Sequence, residues 1–204
     1  DVAFDLCMEA CGAFGWYNRN TGYNPYMTEG KKTVAYEVME QLGLIQNGRR
    51  GSGTSPDVIV VPVGDGCIIG GVHKGLKDLK ALGWIDRLPR IIGVQSAGSD
   101  YMWQAWSRGE DVLAKPPIAA DTVADSISAG LPRDRIKALA AVQETGGAYV
   151  RVSDDDILAA IPRLARGVGV YAEPAAAAAY AGLAQAVADG VIQPDERVVG
   201  LATG

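Results

Sequence analysis

The apolar residues of this chain recur with two different periods, and together these predict an α/β fold. Short runs of apolar, mostly β-branched residues are typical of strands buried on both faces. The predicted strands are Val58–Val63, Arg90–Val94, Ala148–Val152 and Arg197–Ala202, with a further short strand at Phe14–Tyr17. The predicted helices are residues 1–12, Glu29–Leu42, a helix from Ile68, Tyr101–Ser107, Arg133–Thr145, a helix after Ser153 and a helix after Glu173. Because strands and helices alternate, we predict a three-layer fold in which helices flank a parallel sheet.

Turn and cap residues refine this prediction locally. Loops are expected at Asn18–Thr28 and Gln46–Pro56, while Val123–Ile127 fits either a strand or a helix. Ser153 is expected to cap a helix whose first turn is acidic, which suits the positive end of the helix dipole. Pro162 is expected to kink or shorten that helix, since it lacks a backbone N–H.

The segment from Val58 to Gly71 is a strand, a glycine turn and a helix start. Gly64 and Gly66 allow the unusual φ and the close backbone approach that an anion-binding turn requires. A helix that begins there points free N–H groups at the same place, where a phosphate can sit. An ordinary tight loop between a strand and a helix is the alternative interpretation, and the neighbouring motifs described below weigh against it.

The helix after the glycine turn has one apolar face, formed by Ile68, Val72, Leu76 and Leu79. Its lysines point elsewhere. The only histidine, His73, falls on the polar side, so we expect it to be solvated. A single histidine also makes a zinc site improbable, and no metal is expected.

Composition excludes several classes of function. The chain has 204 residues, 48% of them apolar and 21% charged, as in a globular α/β domain. A net charge of −5 argues against nucleic acid as the main partner, because phosphate-backbone binding needs a basic face. No run suits a membrane span, and the alanine-rich stretch Ala175–Ala188 predicts a helix packed closely against its neighbours. Cys7, Cys11 and Cys67 lack disulfide spacing, which favours reduced thiols in a cytoplasmic protein.

Five motifs follow one another along nearly the whole chain. They are Asn24-Pro25-Tyr26 with Glu29-Gly30-Lys31-Lys32-Thr33, the loop Pro62–Gly66, the strand Leu88–Gln95, the helix start Ala172-Glu173-Pro174, and the strand Val198–Gly204. In this order they resemble threonine synthase and its relatives, the fold type II pyridoxal-phosphate enzymes of the tryptophan synthase β group. The resemblance implies that residues 1–28 are a remnant of a small domain with its connecting loop. Residues 29–204 would then be an incomplete large domain that binds the cofactor.

The resemblance also implies that the chain helps to bind pyridoxal 5′-phosphate. The residues whose backbone would hold the cofactor phosphate are Gly64, Asp65, Gly66, Cys67 and Ile68. Thr203 would hydrogen-bond the pyridine nitrogen and Glu173 would lie near the ring. Without a cofactor, the charge of Glu173 would suit the positive end of a helix dipole, and Thr203 would be an ordinary residue at the end of a strand.

Two residues do not fit simply with what the resemblance implies. Threonine synthases usually have an arginine for the substrate phosphate where this chain has Met27, and a thioether makes no charge-assisted hydrogen bond. Arg19 is the candidate substitute, and the substrate-binding residues proposed in its loop are Asn18, Arg19 and Asn20. Asp65 lies in an anion-binding turn, so its carboxylate is expected to point away from the phosphate or to brace the loop.

The Schiff-base lysine of the family lies in a Ser-x-Lys motif, and no such motif occurs in these 204 residues. Lys31 and Lys32 belong to a turn, and the other lysines near the glycine loop follow a helix flank, so the catalytic lysine of this chain is unknown. The helix entered at Asp1 and the strand that stops at Thr203-Gly204 favour a piece of a longer polypeptide.

The leading functional hypothesis is a pyridoxal-phosphate-dependent lyase that acts on a small amino acid by β- or γ-elimination or replacement. It is most like threonine synthase, which converts O-phosphohomoserine to threonine and phosphate. A serine, threonine or diamino-acid dehydratase or ammonia-lyase is the first alternative, and a non-catalytic subunit that binds a phosphorylated ligand is the second. A nucleotide-binding domain is disfavoured, because Ile69 stands where a third glycine is needed. By analogy, we expect a cytoplasmic homodimer.

Overall fold

The computed structural model describes residues 2–203, so the sequence features assigned to Asp1 and Gly204 lie outside the described residues. The helices are α1 Val2–Phe14, α2 Pro25–Glu29, α3 Thr33–Gln41, α4 Cys67–Ala81, α5 Tyr101–Arg108, α6 Arg135–Glu144, α7 Asp154–Val168 and α8 Pro174–Ala188. Short 3₁₀ turns occupy Gly30–Lys32 and Asp125–Ile127. The strands are β1 Ile45–Gln46, β2 Arg49–Arg50, β3 Val58–Pro62, β4 Arg90–Ser96, β5 Ala148–Val152 and β6 Val198–Gly200. None of the helices within residues 2–203 is long and apolar enough to cross a membrane.

A parallel sheet in the order β5-β4-β3-β6 forms the centre of the molecule. Val58 of β3 lies opposite Arg90 on one side and Val198 on the other, and every pairing in this sheet is parallel. All residues of β3 are buried, as its continuous apolar sequence predicted. The predicted fold class is confirmed.

Helices cover both faces of the sheet, and successive strand residues point to opposite layers. Ile59 and Val61 belong to the apolar core under α3, α4, α5 and α6, whereas Val58 and Val60 belong to the core under α7 and α8. This alternation follows from the two-residue period of a strand. It divides the interior into two cores separated by the sheet.

The alanine-rich helix α8 lies very close to the sheet, as predicted. Its residues Ala175–Ala179 are all buried. At Gly182, an added Cβ would lie 2.3 Å from Cγ2 of Val94 in β4, so only glycine permits this approach. Small side chains along one helix face therefore set the distance between α8 and β4.

Tyr149 of β5 crosses the neighbouring strand to reach α6. A Cβ at Gly93 of β4 would lie 2.5 Å from Cε1 of the tyrosine ring, so the ring lies where other residues would place a side chain. Its hydroxyl donates to the Ala138 carbonyl at 2.7 Å. Complete burial raises the pKa of this phenol, because the charged form would lose its hydration.

The structure corrects the expectations for the segment after α1. The strand predicted at Phe14–Tyr17 is wrong, because α1 continues to Phe14 and the following residues are irregular. Phe14, Trp16 and Tyr17 are all exposed, so their aromatic character does not mark a buried strand. The loop predicted at Asn18–Thr28 ends early, because the Asn24 side chain accepts a hydrogen bond from the Tyr26 N–H and starts α2.

Three further expectations change. The loop predicted at Gln46–Pro56 contains strand β2, which forms a small antiparallel hairpin with β1. The segment Val123–Ile127, left open between strand and helix, contains a 3₁₀ turn. Pro162 does not shorten α7, because it lies on the exposed face and the Leu158 carbonyl that it leaves free is on a solvent-accessible turn.

His73 is buried, so the prediction that it is solvated was wrong. The polar face of α4 is covered by another helix, since α6 packs against it and Glu144 of α6 comes within 3.4 Å of the His73 Nε2. A helical period shows which residues share a face. It does not show whether a second helix covers the polar face as well.

Candidate functional site

The glycine loop joins β3 to α4 at the carboxyl edge of the sheet. Gly66 precedes α4 with φ 89°, a left-handed conformation that favours glycine. No side chain among residues 2–203 caps this helix, so the N–H groups of its first turn are left for another acceptor. The turn predicted from the sequence therefore has the backbone geometry of an anion site.

A cavity of about 250 Å³, here called the glycine-loop cavity, opens at this turn. Residues Gly64–Ile69 form one wall, and Ser126–Ala129 form the facing wall. Thr21 and Lys31 complete it from the segment that precedes α3. The predicted phosphate-loop residues Gly64, Asp65, Gly66, Cys67 and Ile68 all line this one cavity.

Asp65 braces the loop from inside it. Its Oδ2 accepts a hydrogen bond from the Thr21 hydroxyl at 2.9 Å, and its Oδ1 accepts one from the Arg133 N–H at 3.3 Å. Its carbonyl accepts from the Asp134 N–H at 2.8 Å. The carboxylate is thus held by protein donors, as the sequence analysis expected, and the loop is fixed to the start of α6.

Lys31 brings a positive charge to the cavity, and the sequence alone did not identify it as a site residue. Within residues 2–203 it is the only lysine or arginine among the residues lining this cavity. Its Nζ donates to the Met27 carbonyl at 3.1 Å. Burial raises the pKa of the Cys67 thiol, and the Lys31 charge partly opposes this effect. Lys31 thus adds electrostatic attraction for an anion beside the helix N-terminus.

The position of Lys31 depends on a glycine in α4. A Cβ added at Gly71 would lie 2.6 Å from the Lys31 Cβ, so glycine there lets the two segments approach. The consecutive Gly70 and Gly71 inside a helix were the signal available in the sequence. The signal indicated a close neighbour without identifying it.

Thr203 and Glu173 lie towards the same edge of the sheet but do not line the cavity. β6 runs beside β3, and the Leu201 N–H donates to the Val60 carbonyl at 2.9 Å, so Thr203 follows a strand that ends next to the glycine loop. The chain leaves α8 near the start of β4, where Arg90 donates to the Val191 carbonyl at 3.1 Å. The other end of α8, which follows Glu173, therefore lies towards the carboxyl edge of the sheet. The Glu173 side chain makes no capping hydrogen bond to α8.

The proposed substrate residues Asn18, Arg19 and Asn20 lie outside the glycine-loop cavity. Asn18 is buried, donates to the Met8 sulfur at 2.8 Å and lines a separate cavity of about 420 Å³. Arg19 is exposed. The Asn20 Nδ2 is buried and has no hydrogen-bond partner within residues 2–203, although the next residue, Thr21, reaches the glycine-loop cavity.

No cluster of three or more histidine, cysteine or acidic side chains within residues 2–203 could hold a metal ion. The cavity instead offers backbone N–H groups, hydroxyl groups and one ammonium group. These are donors that suit a phosphate.

Comparison with known proteins assigns the chain to a family. The family described as pyridoxal-phosphate dependent enzyme matches residues 1–204. The chain belongs to this family. The resemblance drawn from the five motifs is therefore confirmed, and pyridoxal phosphate is the cofactor of the family.

Relatives called threonine synthase are similar to the whole chain. The threonine synthase of Methanosarcina acetivorans is 39% identical over 204 residues, which are 100% of this chain and 48% of the relative. That of Mycobacterium tuberculosis is 36% identical and covers 100% of this chain and 52% of the relative. The chain thus spans about half the length of the curated relatives that it matches.

Solved structures of fold type II enzymes share the fold. The processed form of threonine deaminase isoform 2 from Solanum lycopersicum aligns with a TM-score of 0.73 at 23% identity, covering 97% of this chain and 51% of that one. A pyridoxal 5′-phosphate-dependent aspartate racemase aligns with a TM-score of 0.72 at 20% identity, covering 96% and 54%. At these identities the likeness concerns the fold.

Proposed function

We propose that the glycine-loop cavity holds the phosphate group of pyridoxal 5′-phosphate. The observation that carries this proposal is the uncapped N-terminus of α4 behind Gly66, facing a cavity whose lining includes Lys31. Backbone donors at Gly64, Asp65, Gly66, Cys67 and Ile68 would bind the phosphate oxygens, and the Lys31 ammonium would add charge. The oxygens of the Asp65 carboxylate are already engaged by the Thr21 hydroxyl and the Arg133 N–H.

The remaining cofactor contacts are proposals for Thr203 and Glu173. The Thr203 hydroxyl would hydrogen-bond the pyridine nitrogen, and Glu173 would lie near the ring at the start of α8. Their support is their place at the carboxyl edge of the sheet and, for Glu173, a side chain that makes no capping hydrogen bond. When bound, pyridoxal phosphate withdraws electrons from the Cα of an amino-acid substrate.

For the protein of which this chain is a part, we propose a lyase acting on a small amino acid by β- or γ-elimination or replacement. The relatives named threonine synthase favour production of threonine from O-phosphohomoserine. Asn18, Arg19 and Asn20 are the proposed substrate residues, and the unpartnered Asn20 Nδ2 is the donor most available for this role.

A dehydratase or ammonia-lyase is the second candidate, and Met27 is the observation that favours it. The Met27 thioether supplies no charge for a substrate phosphate. The Met27 carbonyl already accepts a hydrogen bond from the Lys31 Nζ. In the protein that contains this chain, phosphate release from O-phosphohomoserine supports the first candidate. Ammonia release from serine, threonine or a diamino acid without phosphate release supports the second.

We also infer a division of the chain and a setting for it. Residues 1–28 would belong to a small domain and its connecting loop, and residues 29–204 to the large cofactor-binding domain. α1 buries none of its residues, which supports its separation from the sheet. A cytoplasmic homodimer remains the expectation by analogy, and its test is the mass of the protein in solution.

The test of the binding proposal compares pyridoxal phosphate with pyridoxal on the 204-residue chain. We expect the phosphate-bearing compound to bind more tightly and to raise the melting temperature more, with inorganic phosphate competing. Lys31→Gln should weaken binding of the phosphate compound about tenfold and leave pyridoxal unaffected. Equal affinity for the two compounds would contradict the proposal.

The control is Lys80→Gln, which removes a lysine from the exposed end of α4 away from the cavity. It should leave both affinities unchanged. Borohydride treatment followed by intact-mass measurement determines separately whether a lysine of this chain reacts with the cofactor. A covalent adduct mapped to Lys31 would mean that this residue forms an imine with the cofactor in place of an ionic contact with its phosphate.

A further inference from the structure

A second cavity, of about 340 Å³, lies between α4, α6 and α2 and is here called the α4–α6 cleft. It shares no lining residue with the glycine-loop cavity. Gly70, His73 and Lys77 line it from successive turns of α4, and Lys137 and Glu144 line it from α6. Its volume lies at the small end of the range of about 300–1,000 Å³ that is usual for small-molecule sites.

His73 provides the observation that points to a ligand. Its side chain is 7% exposed, it lines the cleft, and its Nε2 has no hydrogen-bond partner among the described residues. The nearest charged oxygen, Glu144 Oε2, is 3.4 Å away without hydrogen-bond geometry. Buried polar atoms in folded proteins normally have a partner, so this nitrogen is available to a bound molecule.

The charges at the cleft have both signs. Lys77 and Glu144 are joined at 2.8 Å, and both side chains are 48% exposed, so each can turn towards a ligand. The other charged groups of the lining are paired with residues that do not line the cleft. These pairs are Lys137 with Asp134, Glu29 with Lys32, and Lys74 with Asp78.

This balance decides which class of ligand fits. A simple anion would meet the Glu144 carboxylate, and a simple cation would meet the Lys77 ammonium, so each would be repelled by one member of the pair. A zwitterion places one opposite charge against each of them. Pro25, Gly70, Ala140 and the lysine stems offer apolar surface for the rest of the molecule.

We propose that the α4–α6 cleft binds a small zwitterionic α-amino acid with an apolar side chain. The carboxylate of the ligand contacts Lys77, and its ammonium group contacts Glu144. The His73 Nε2 supplies the hydrogen bond at the base of the cleft. Because α4 also begins at the glycine loop, the same helix carries residues of both cavities.

The single histidine makes the test direct. We would titrate the chain, without pyridoxal phosphate, with L-leucine at pH 8 and follow the imidazole C–H resonances of His73 by NMR. Isovalerate and isoamylamine provide the same apolar body with only one charge each. A saturable shift with L-leucine that neither single-charge compound reproduces is the expected result.

Variants assign the shift to the cleft. Lys77→Gln and Glu144→Gln should each weaken L-leucine binding at least about fivefold, since each removes one partner of the zwitterion. Lys80→Gln, on the same helix outside the cleft, and Lys31→Gln, in the glycine-loop cavity, should leave the affinity within about twofold. Circular dichroism confirms that each variant is folded.

Several results would overturn the proposal. One is the absence of a saturable shift up to the solubility limit of L-leucine. Another is an equal shift with isovalerate or isoamylamine, which would exclude a zwitterion site. A loss of affinity in Lys80→Gln as large as in Lys77→Gln would exclude this cleft. Because the titration contains no cofactor, its failure would leave the proposed phosphate site untouched.

Discussion

At the scale of single residues, Asp65 shows how a carboxylate can belong to an anion-binding turn. Its oxygens accept hydrogen bonds from the Thr21 hydroxyl and the Arg133 N–H, so its charge serves the shape of the loop. We expect Asp65→Ala to lower the free energy of unfolding by about 1–2 kcal/mol, through loss of these bonds. Urea unfolding measures the change.

The control for the Asp65→Ala variant is a change at Thr21, whose hydroxyl donates to the Asp65 carboxylate. Thr21→Ala should cost about 0.5–1.5 kcal/mol, and the double variant should cost less than the sum of the single variants. Strict additivity would mean that the hydrogen bond between Thr21 and Asp65 contributes nothing to stability.

His73 gives a second prediction at the residue scale. Burial lowers the pKa of its imidazole below the ordinary 6.5, and Lys77 lowers it further, while Glu144 acts in the opposite direction. As the pH falls, the unfolded chain therefore takes up this proton before the folded chain does. The free energy of unfolding should decrease from about pH 6.5 down to the folded-state pKa, and this group should change it no further below that point.

The measurement compares the chain with His73→Gln, which carries no titrating group there. The difference in unfolding free energy between the two should follow the histidine alone, because the carboxylates are common to both. Parallel stability profiles between pH 7 and pH 5 would show that the folded and unfolded pKa values are equal, contrary to the burial of this side chain.

At the scale of elements, α8 and α7 offer a matched pair of glycines. Gly182→Ala places a Cβ against Val94, and we expect it to cost about 1–3 kcal/mol even though alanine is the better helix former. Gly167→Ala in α7 meets nothing within 4 Å, so it should stabilise the protein by about 0.4–1 kcal/mol. Thermal unfolding of the two variants should show melting temperatures that move in opposite directions.

The elements also show what the sequence could supply. The strand at Val58–Pro62 could be predicted because its apolar, mostly β-branched residues favour a buried strand. The turn at Gly66 could be predicted because a left-handed conformation favours glycine. The continuation of α7 through Pro162 and the burial of His73 depend on which face another element covers. Lys31 in the cavity likewise depends on a packing contact with Gly71. Such contacts lie between segments distant in sequence, so local periodicity does not predict them.

At the scale of the whole molecule, α1 stands apart from the two cores. It buries none of its residues, and its contacts include Phe4 under the Arg133 guanidinium at 4.1 Å and Met8 with Asn18. We expect removal of residues 1–14 to lower the free energy of unfolding by less than about 1.5 kcal/mol. Urea unfolding of the shortened chain tests this expectation.

A larger loss, or a shortened chain that fails to fold, would show that α1 is part of the cooperative unit. Limited proteolysis gives an independent measurement. The first cuts should fall between α1 and α2, where an irregular segment carries exposed aromatic residues, and the sheet fragment should persist.

The phenol of Tyr149 has a consequence for optical spectroscopy. Because its pKa is raised by complete burial, it stays un-ionised in alkaline solution for as long as the sheet and α6 hold together. Tyr23 and Tyr26, in contrast, are exposed to solvent. The slow part of the rise in ultraviolet absorbance of tyrosinate then reports the opening of the molecule in real time, without an attached dye.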